Sequence, residues 1–425
     1  MSGADLIGPV PPHWNVKPLR LIGRLLKGSG GSKEDAVEEG VPCVRYGELY
    51  TTHRNFIERA RTCVAQERAS DYTPLEYGDV LFAASGETIE EIGKSAVNLL
   101  HGARCGGDVV ILRPTEAFVP RFLGYATDAA PVTAQKSLAG RGSTVKHIYP
   151  DELREVVIAV PPVDEQQAIA DFLDRETGSL DALVAAKQRL IDLLAEKRKA
   201  IIATAVTRGL DPKVKLRAPG VPWLGEIPAH WDMRRMKYLF RLVADRAPEN
   251  NGYELLSLYT DIGVKPRREL EERGNKATTT DEYWMVRSGD LIVNKLLAWM
   301  GAFGVSDYDG VTSPAYDILR PRESVQSVFY HHLFRCGVAA TEIRARSYGI
   351  MDMRLRLYFD RLGDMRVPVP PFLEQHAIVD HIARETAKLD AVRAATERTI
   401  ALLKERRSAL IAAAVTGQLE GGGIA

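Results

Sequence analysis

Glycine-rich loops can cradle phosphates, so Gly28-Ser29-Gly30-Gly31-Ser32 is the first stretch whose composition could do chemistry. It follows a helical segment rather than a strand and lacks the Gly-Lys-Ser/Thr ending of a phosphate loop, so it reads as a plain loop. Glu87, Glu90 and Glu91 beside Lys94 supply carboxylates, but no strand Asp stands at a nuclease spacing, which leaves a solvated loop. Val369-Pro370-Pro371-Phe372 approaches the Asn/Asp-Pro-Pro-aromatic run of an amino-methylating enzyme. It has Val where a polar side chain must bond the target amine, and Val160-Pro161-Pro162-Val163 lacks the aromatic as well. Those prolines fit better as the stop before a long helix. His331 and His332 are adjacent and point to different helix faces, while His376 and His381 stand five apart. Cys43, Cys63, Cys105 and Cys336 form no C-x-x-C pair, so neither a zinc site nor a disulfide framework is indicated. No G-x-G-x-x-G follows a strand. The expectation is a non-catalytic chain with no cofactor or metal of its own.

What remains is a set of basic, hydroxyl and aromatic residues suited to nucleic acid. Arg45-Tyr46, Ser85, Lys136, and Arg141 with Ser143, Thr144 and Lys146 lie in the first part of the chain. Lys265, Arg267, Arg268, Asn294, Lys295, Arg344, Arg346, Tyr348, Arg354 and Arg356 lie in the second. Gly-flanked Ser, Thr and Lys approach phosphates closely, and Arg binds guanine bidentately in the major groove. Lys197 to Arg217 is locally basic too, where cations also complement a helix C-terminus. Lys plus Arg and Asp plus Glu both number 56, so the formal net charge is zero. Bulk charge cannot coat DNA here; any contact must come from local clusters or be shared with a partner.

The elements that must hold these residues are written twice. Val160-Pro161-Pro162 begins a segment that returns at Val369-Pro370-Pro371 and runs without a gap to Leu210 and Leu419, with 29 of 51 positions identical. Pro12-His13-Trp14 recurs as Pro228-Ala229-His230-Trp231, Gly78-Asp79 as Gly289-Asp290, and Leu112-Arg113-Pro114 as Leu319-Arg320-Pro321. From Glu165 to about Arg208 the pattern is helical, with Leu173, Leu180, Leu194 and Ile201 in a seven-residue row that Lys187 interrupts. Leu183 and Leu190 form a second row, three residues further along. In the other copy the packing residues are Ile382, Leu389, Leu403, Leu410 and Val392, with Thr396 and Thr399 as polar breaks. Such rows predict a coiled coil, a rod of roughly 60 Å, with the two copies paired antiparallel in preference to parallel and a variable domain at each end. The intervening stretches mix short strands (42–46, 79–83, 108–112, 156–160; 255–259, 290–293, 316–319) with helices at 120–128 and 327–336. The expected fold is therefore α+β: two mixed domains, 1–160 and 211–368, with long helices at 161–210 and 369–419 and a flexible tail at 420–425.

At 425 residues, with 45% hydrophobic and 26% charged, the composition is that of an ordinary globular chain. No apolar run reaches bilayer-spanning length, and Met1-Ser2-Gly3-Ala4-Asp5 lacks the start of a signal peptide, so a cytoplasmic protein is expected.

Taken together, these residues resemble the specificity (S) subunit of a type I restriction–modification system, over essentially the whole chain. The likeness rests on the two Val-Pro-Pro-x-x-Glu-Gln-x-x-Ile helices (Val160 to Ile169, Val369 to Ile378), the His13-Trp14 and His230-Trp231 entries, Val41 to Leu49, the Gly-Asp strands, and Gly142 to His147. The resemblance implies two target-recognition domains, each reading half of a split double-stranded DNA sequence. It implies helices that set the spacer and dock two methyltransferase subunits carrying S-adenosylmethionine. A separate restriction (translocase) subunit would add ATP and Mg. The second domain has Ser347-Tyr348-Gly349 where the first has Gly142-Ser143-Thr144, a departure that weakens transfer of individual contacts there. A coiled-coil scaffold, or an orphan specificity-like DNA-binding protein without a restriction subunit, fits the same residues.

Overall fold

A computed structural model describes residues 3–31, 33–89, 91–142, 145–260, 262–269, 280–349 and 355–419. Ser143, Thr144 and Arg354, named above, lie outside them, as does Glu90. The chain divides into two compact units. The first takes the residues up to Gln188 and those from Arg398 on; the second takes Arg189–Glu397. Each unit is thus one variable region plus half of each long helix.

In the first unit, a five-stranded sheet runs in the order Gly23–Lys27, Val109–Pro114, Val80–Ala83, Ser95–Asn98, Phe56–Ile57. All neighbours are antiparallel except the last pair. Val80-Leu81-Phe82-Ala83 is apolar throughout because both faces are covered. Val80 and Phe82 pack with Val110, Leu112, the Pro120–Ala126 helix and the long helices; Leu81 and Ala83 pack with Ala96, Ile111 and Val44 on the other side. The second unit repeats this plan. Its sheet runs Phe240–Val243, Tyr316–Pro321, Leu291–Asn294, Phe303–Val305, all antiparallel. Leu291 and Val293 face one core, Ile292 and Ile318 the other.

The repeated Gly-Asp and Leu-Arg-Pro words now have a cause. Gly78 and Gly289 sit at φ +93° and +88°, which favours glycine. The next carboxylate closes its own turn, Asp79 accepting from the Glu76 amide (2.7 Å) and Asp290 from the Arg287 amide (2.9 Å). Each Asp is also held by an arginine fork from the adjacent strand: Arg113 at 3.0 and 2.8 Å, Arg320 at 2.9 and 2.7 Å. Both carboxylates are buried.

The long helices span Val163–Arg208 and Phe372–Val415. In the first unit Ile169, Ala170 and Leu173 share a core with Ile411, Ala414 and Val415, and Asp181 meets Arg407 at 3.1 Å. In the second, Ala205 and Val206 pack with Ile378 and Ile382, and Arg198 holds Asp390 at 2.7 and 2.6 Å. As numbers rise along one helix they fall along the other, so the pairing within each unit is antiparallel.

One packing row is as expected: Leu173 and Ile382 are buried, and Leu180, Leu194, Ile201, Leu389, Leu403 and Leu410 are half-buried. The second row is corrected. Leu183, Leu190 and Val392 are 44, 38 and 46% exposed. The inward row lies four residues after the first, at Thr177, Val184, Ile191, Arg198 and Ala205, repeated as Thr386, Ile400, Arg407 and Ala414. Thr177 and Thr386 bond back to the carbonyls of Leu173 and Ile382, which spares their hydroxyls an unpaired burial.

Removing one partner of a buried ion pair strands the other charge, at about 3–5 kcal/mol. Asp79→Ala is therefore expected to lower hydrogen-exchange protection of the Val80–Ala83 amides by about 3 kcal/mol while leaving Leu291–Asn294 unchanged. Equal loss in both strands would show that the two sheets do not open separately.

Candidate nucleic-acid interface

Each variable sheet is tied to a long helix in the same way. Glu165 accepts from the Trp14 indole at 2.9 Å and pairs with His13 at 2.9 Å; Glu374 accepts from Trp231 at 3.0 Å and pairs with His230 at 2.8 Å. The neighbouring glutamines bridge outward. Gln166 accepts from the Val119 amide and donates to the Pro161 carbonyl; Gln375 accepts from Gln326 and donates to Pro370. The Asn15–Pro18 strand pairs with Val157–Val160, and Asp232–Arg235 with Arg366–Val369, so chain entry and exit are clamped at the same point.

On this frame, the first unit gathers Arg45, Tyr46, Ser85 and Lys146. Arg45 and Tyr46 begin the Tyr46–Thr51 helix, and Lys146–His147 pairs with Ser85–Gly86. A cleft of about 470 Å³ is lined by Tyr46, Tyr50, Ser85, Glu87, Glu91 and Val145. Another of about 360 Å³ lies across Arg45 and Tyr46 beside Tyr72 and Asp108. Ser85 is buried and its hydroxyl meets His147 Nδ1 at 3.0 Å, so it shapes the hairpin. Arg141 bridges to His147 on the same hairpin, and its guanidinium pairs with Glu152 at 3.1 Å. Tyr50, absent from the sequence-based set, lies one helical turn after Tyr46, a spacing that could have flagged it. Burial, with Glu91 adding to it, pushes its hydroxyl up to about 12, so it stays a donor, here to the Ser85 carbonyl.

Lys136 requires correction. It is fully buried, its ammonium donating to the carbonyls of Gly93 (2.7 Å) and Thr127 (2.9 Å) beside Asp128. It cannot reach a phosphate. Its burial follows from the Ala130–Ala139 helix turning that side toward the sheet, with Phe82 under the ammonium.

In the second unit the candidates form two groups. Lys265 lies in the Gly263–Pro266 strand against Tyr308, with Arg267 just beyond it and Arg268 paired to Glu254. The other group surrounds Tyr348. Arg356 bridges to it, Arg361 stacks 4.9 Å from its ring, and the Arg344 guanidinium lies 5.6 Å from the Trp299 ring. Arg346 is taken up by Glu342 at 2.6 Å. Lys295 and Asn294 are corrected to structural roles. The Lys295 ammonium donates to the Pro314 carbonyl and pairs with Asp317, and the Asn294 side chain accepts the amides of Leu296 and Leu297. Among the described residues, no group of three or more His, Cys, Asp or Glu could hold a metal ion, and no helix is long and apolar enough to cross a membrane.

Residues 14–191 match the type I restriction modification DNA specificity domain. The chain is 25% identical over 263 residues to the putative type I restriction enzyme MjaX specificity subunit of Methanocaldococcus jannaschii, covering 58% of each chain. It is 25% identical over 220 residues to the type I restriction enzyme EcoKI specificity subunit of Escherichia coli, covering 48% of this chain and 45% of that one. The matches thus span about half the length of these relatives. In fold, the chain is similar to a chain from a structure concerned with complex assembly and conformational transition of the type I R-M system. That match has a TM-score of 0.67 and 19% identity, covering 97% of this chain and 100% of the other. It is also similar to the crystal structure of the HsdS subunit from Thermoanaerobacter tengcongensis, with a TM-score of 0.52 and 20% identity over 97% and 99% of the two chains. In sequence the chain is thus similar to specificity subunits of type I restriction–modification systems, most clearly over residues 14–191.

Burial holds the Lys136 ammonium down at about 8, with Asp128 opposing. Between about pH 8 and the ordinary lysine value near 10.4 the unfolded chain binds more protons than the folded one, so this group makes stability rise with pH there. Lys136→Met should abolish that rise in urea unfolding of the first unit followed through Trp14; an unchanged slope would mean the ammonium is not desolvated.

Proposed function

We propose that the chain is the DNA-reading subunit of a type I restriction–modification complex, each unit reading one half of a bipartite double-stranded target. The observation that carries this is the duplication itself: the same sheet, buried Asp–Arg turn and Glu–Gln clamp occur twice, with different loops on each copy. A frame kept constant under loops that vary is what sequence reading requires, because phosphate contacts position a reader while groove-facing side chains specify bases. Arg45, Tyr46 and Lys146 would serve the first half-site, and Arg267, Arg268, Arg344, Tyr348 and Arg356 the second.

On this reading the chain itself is non-catalytic. Two methyltransferase subunits dock on the shared helices, where Leu183, Leu190, Leu193 and Leu402 leave apolar surface uncovered. Those subunits bring S-adenosylmethionine, and a restriction subunit, where present, brings ATP and Mg. With zero net charge on this chain, much of the phosphate neutralisation falls to the partners. The complex works in the cytoplasm.

The helices common to both units then act as the ruler between half-sites. Counting from the Asp181–Arg407 pair, positions after Ala186 and after Ala401 face each other. Seven residues inserted at both would add about 10 Å, or about three base pairs. Methylome sequencing of cells carrying this variant with its partner subunits should show the spacer lengthened by about that amount and both half-sites intact; an altered half-site would count against the ruler.

A further inference from the structure

The strands carrying the two clamped aspartates run into loops of opposite character at the equivalent place in each unit. After Val80–Ala83 come Ser85, Gly86, Glu87 and Thr88; after Leu291–Asn294 come Lys295, Leu296, Leu297, Ala298, Trp299 and Met300. In the second unit Leu296, Leu297 and Met300 are 39, 38 and 58% exposed. Local hydrogen bonds enforce this. The Asn294 side-chain Oδ1 accepts the Leu296 and Leu297 amides at 3.0 and 3.3 Å, turning the chain outward, and Gly301 at φ +83° closes the turn.

The surroundings of this ridge are cationic. The Leu357 amide donates to the Lys295 carbonyl at 2.9 Å, which joins the loop to the segment bearing Arg356. Arg344 lies over Trp299, and Arg361 over Tyr348. Among the described residues, nearby carboxylates are already engaged: Asp317 by Lys295, Glu342 by Arg346, and Asp364 by Lys237 and Arg235. Asp360 stays exposed. An apolar ridge within an arginine rim suits duplex DNA. The rim meets phosphates, and the apolar group that the major groove offers a leucine or methionine is the thymine C5 methyl.

We propose that Leu296, Leu297 and Met300 read thymine methyl groups, so that the half-site served by the second unit contains an A·T pair beneath this ridge. The inference rests on the DNA-reading function above. The first unit, with a hydroxyl and a carboxylate at the equivalent place, lacks this preference.

The test uses the full chain with its partner methyltransferase subunits and its own target duplex, in which each thymine of both half-sites is replaced in turn by deoxyuridine, removing the methyl alone. Burial of one methyl corresponds to about fourfold in affinity. One or two deoxyuridine positions, confined to one half-site, should therefore bind about three- to fivefold more weakly. Leu297→Ala and Met300→Ala should weaken the thymine duplex and then bind thymine and deoxyuridine duplexes equally, whereas Leu297→Met keeps the preference. A half-site without an A·T pair, no deoxyuridine effect, or a methyl preference surviving in both alanine variants overturns the inference while leaving the DNA-reading function standing. Weakened assembly with the methyltransferase subunits at an unchanged thymine/deoxyuridine ratio also overturns it, and makes the ridge a protein contact. A complex that selects no sequence at all overturns the function itself.

Discussion

The structure depends on two adjacent side chains at the start of each long helix. An indole N–H can only donate, and buried as it is in Trp14 and Trp231 it must find an acceptor. Glu165 and Glu374 supply it, and their second oxygens take His13 and His230. Hydrogen bonds to a charged group contribute about 1.5–3 kcal/mol each, more than neutral ones. Gln166 and Gln375, both buried, spend one end on the preceding proline carbonyl and the other on a loop amide 47 and 49 residues distant in sequence. The helix, the strand entering the sheet and the loop before the short packing helix are thus fixed at one point. Everything beyond it inherits its orientation.

This explains why the duplicated words were readable without coordinates while the reading surface was not. Glu-Gln, His-Trp, Gly-Asp and Leu-Arg-Pro recur because each is one half of a geometric contact that must close twice. Strand and helix positions followed from short apolar runs flanked by turn residues and from proline stops, to within a residue or two. The second row of the long helices did not. Apolar residues stand side by side at 183–184 and 190–191, one of each pair in the row three residues from the first and one in the row four residues from it, and only the neighbour decides that Val184 and Ile191 turn inward.

Candidate DNA contacts were legible only as residue types. Lys136 and Lys295 have the composition of phosphate ligands, yet both ammonium groups close internal carbonyl sites. A lysine stem is apolar enough to be buried, and short-range sequence holds no record of which carbonyls await its head. Around Tyr348 the Arg361 guanidinium stacks on the ring instead, and stacking of planar groups keeps a guanidinium at the surface.

The path of the chain carries a further consequence for biosynthesis. The first unit borrows its closing helix from residues beyond Arg398, and Gln418 reaches back to the carbonyls of Ile7 and Pro9. The second unit is one continuous stretch. On the ribosome, the amino-terminal sheet therefore waits for about 200 residues of later synthesis, roughly 10–40 s at about 5–20 residues per second, before the surface around Leu173 is covered. The half that emerges first is the half that finishes last, and during that interval its uncovered apolar side is open to chaperones or to the wrong neighbour.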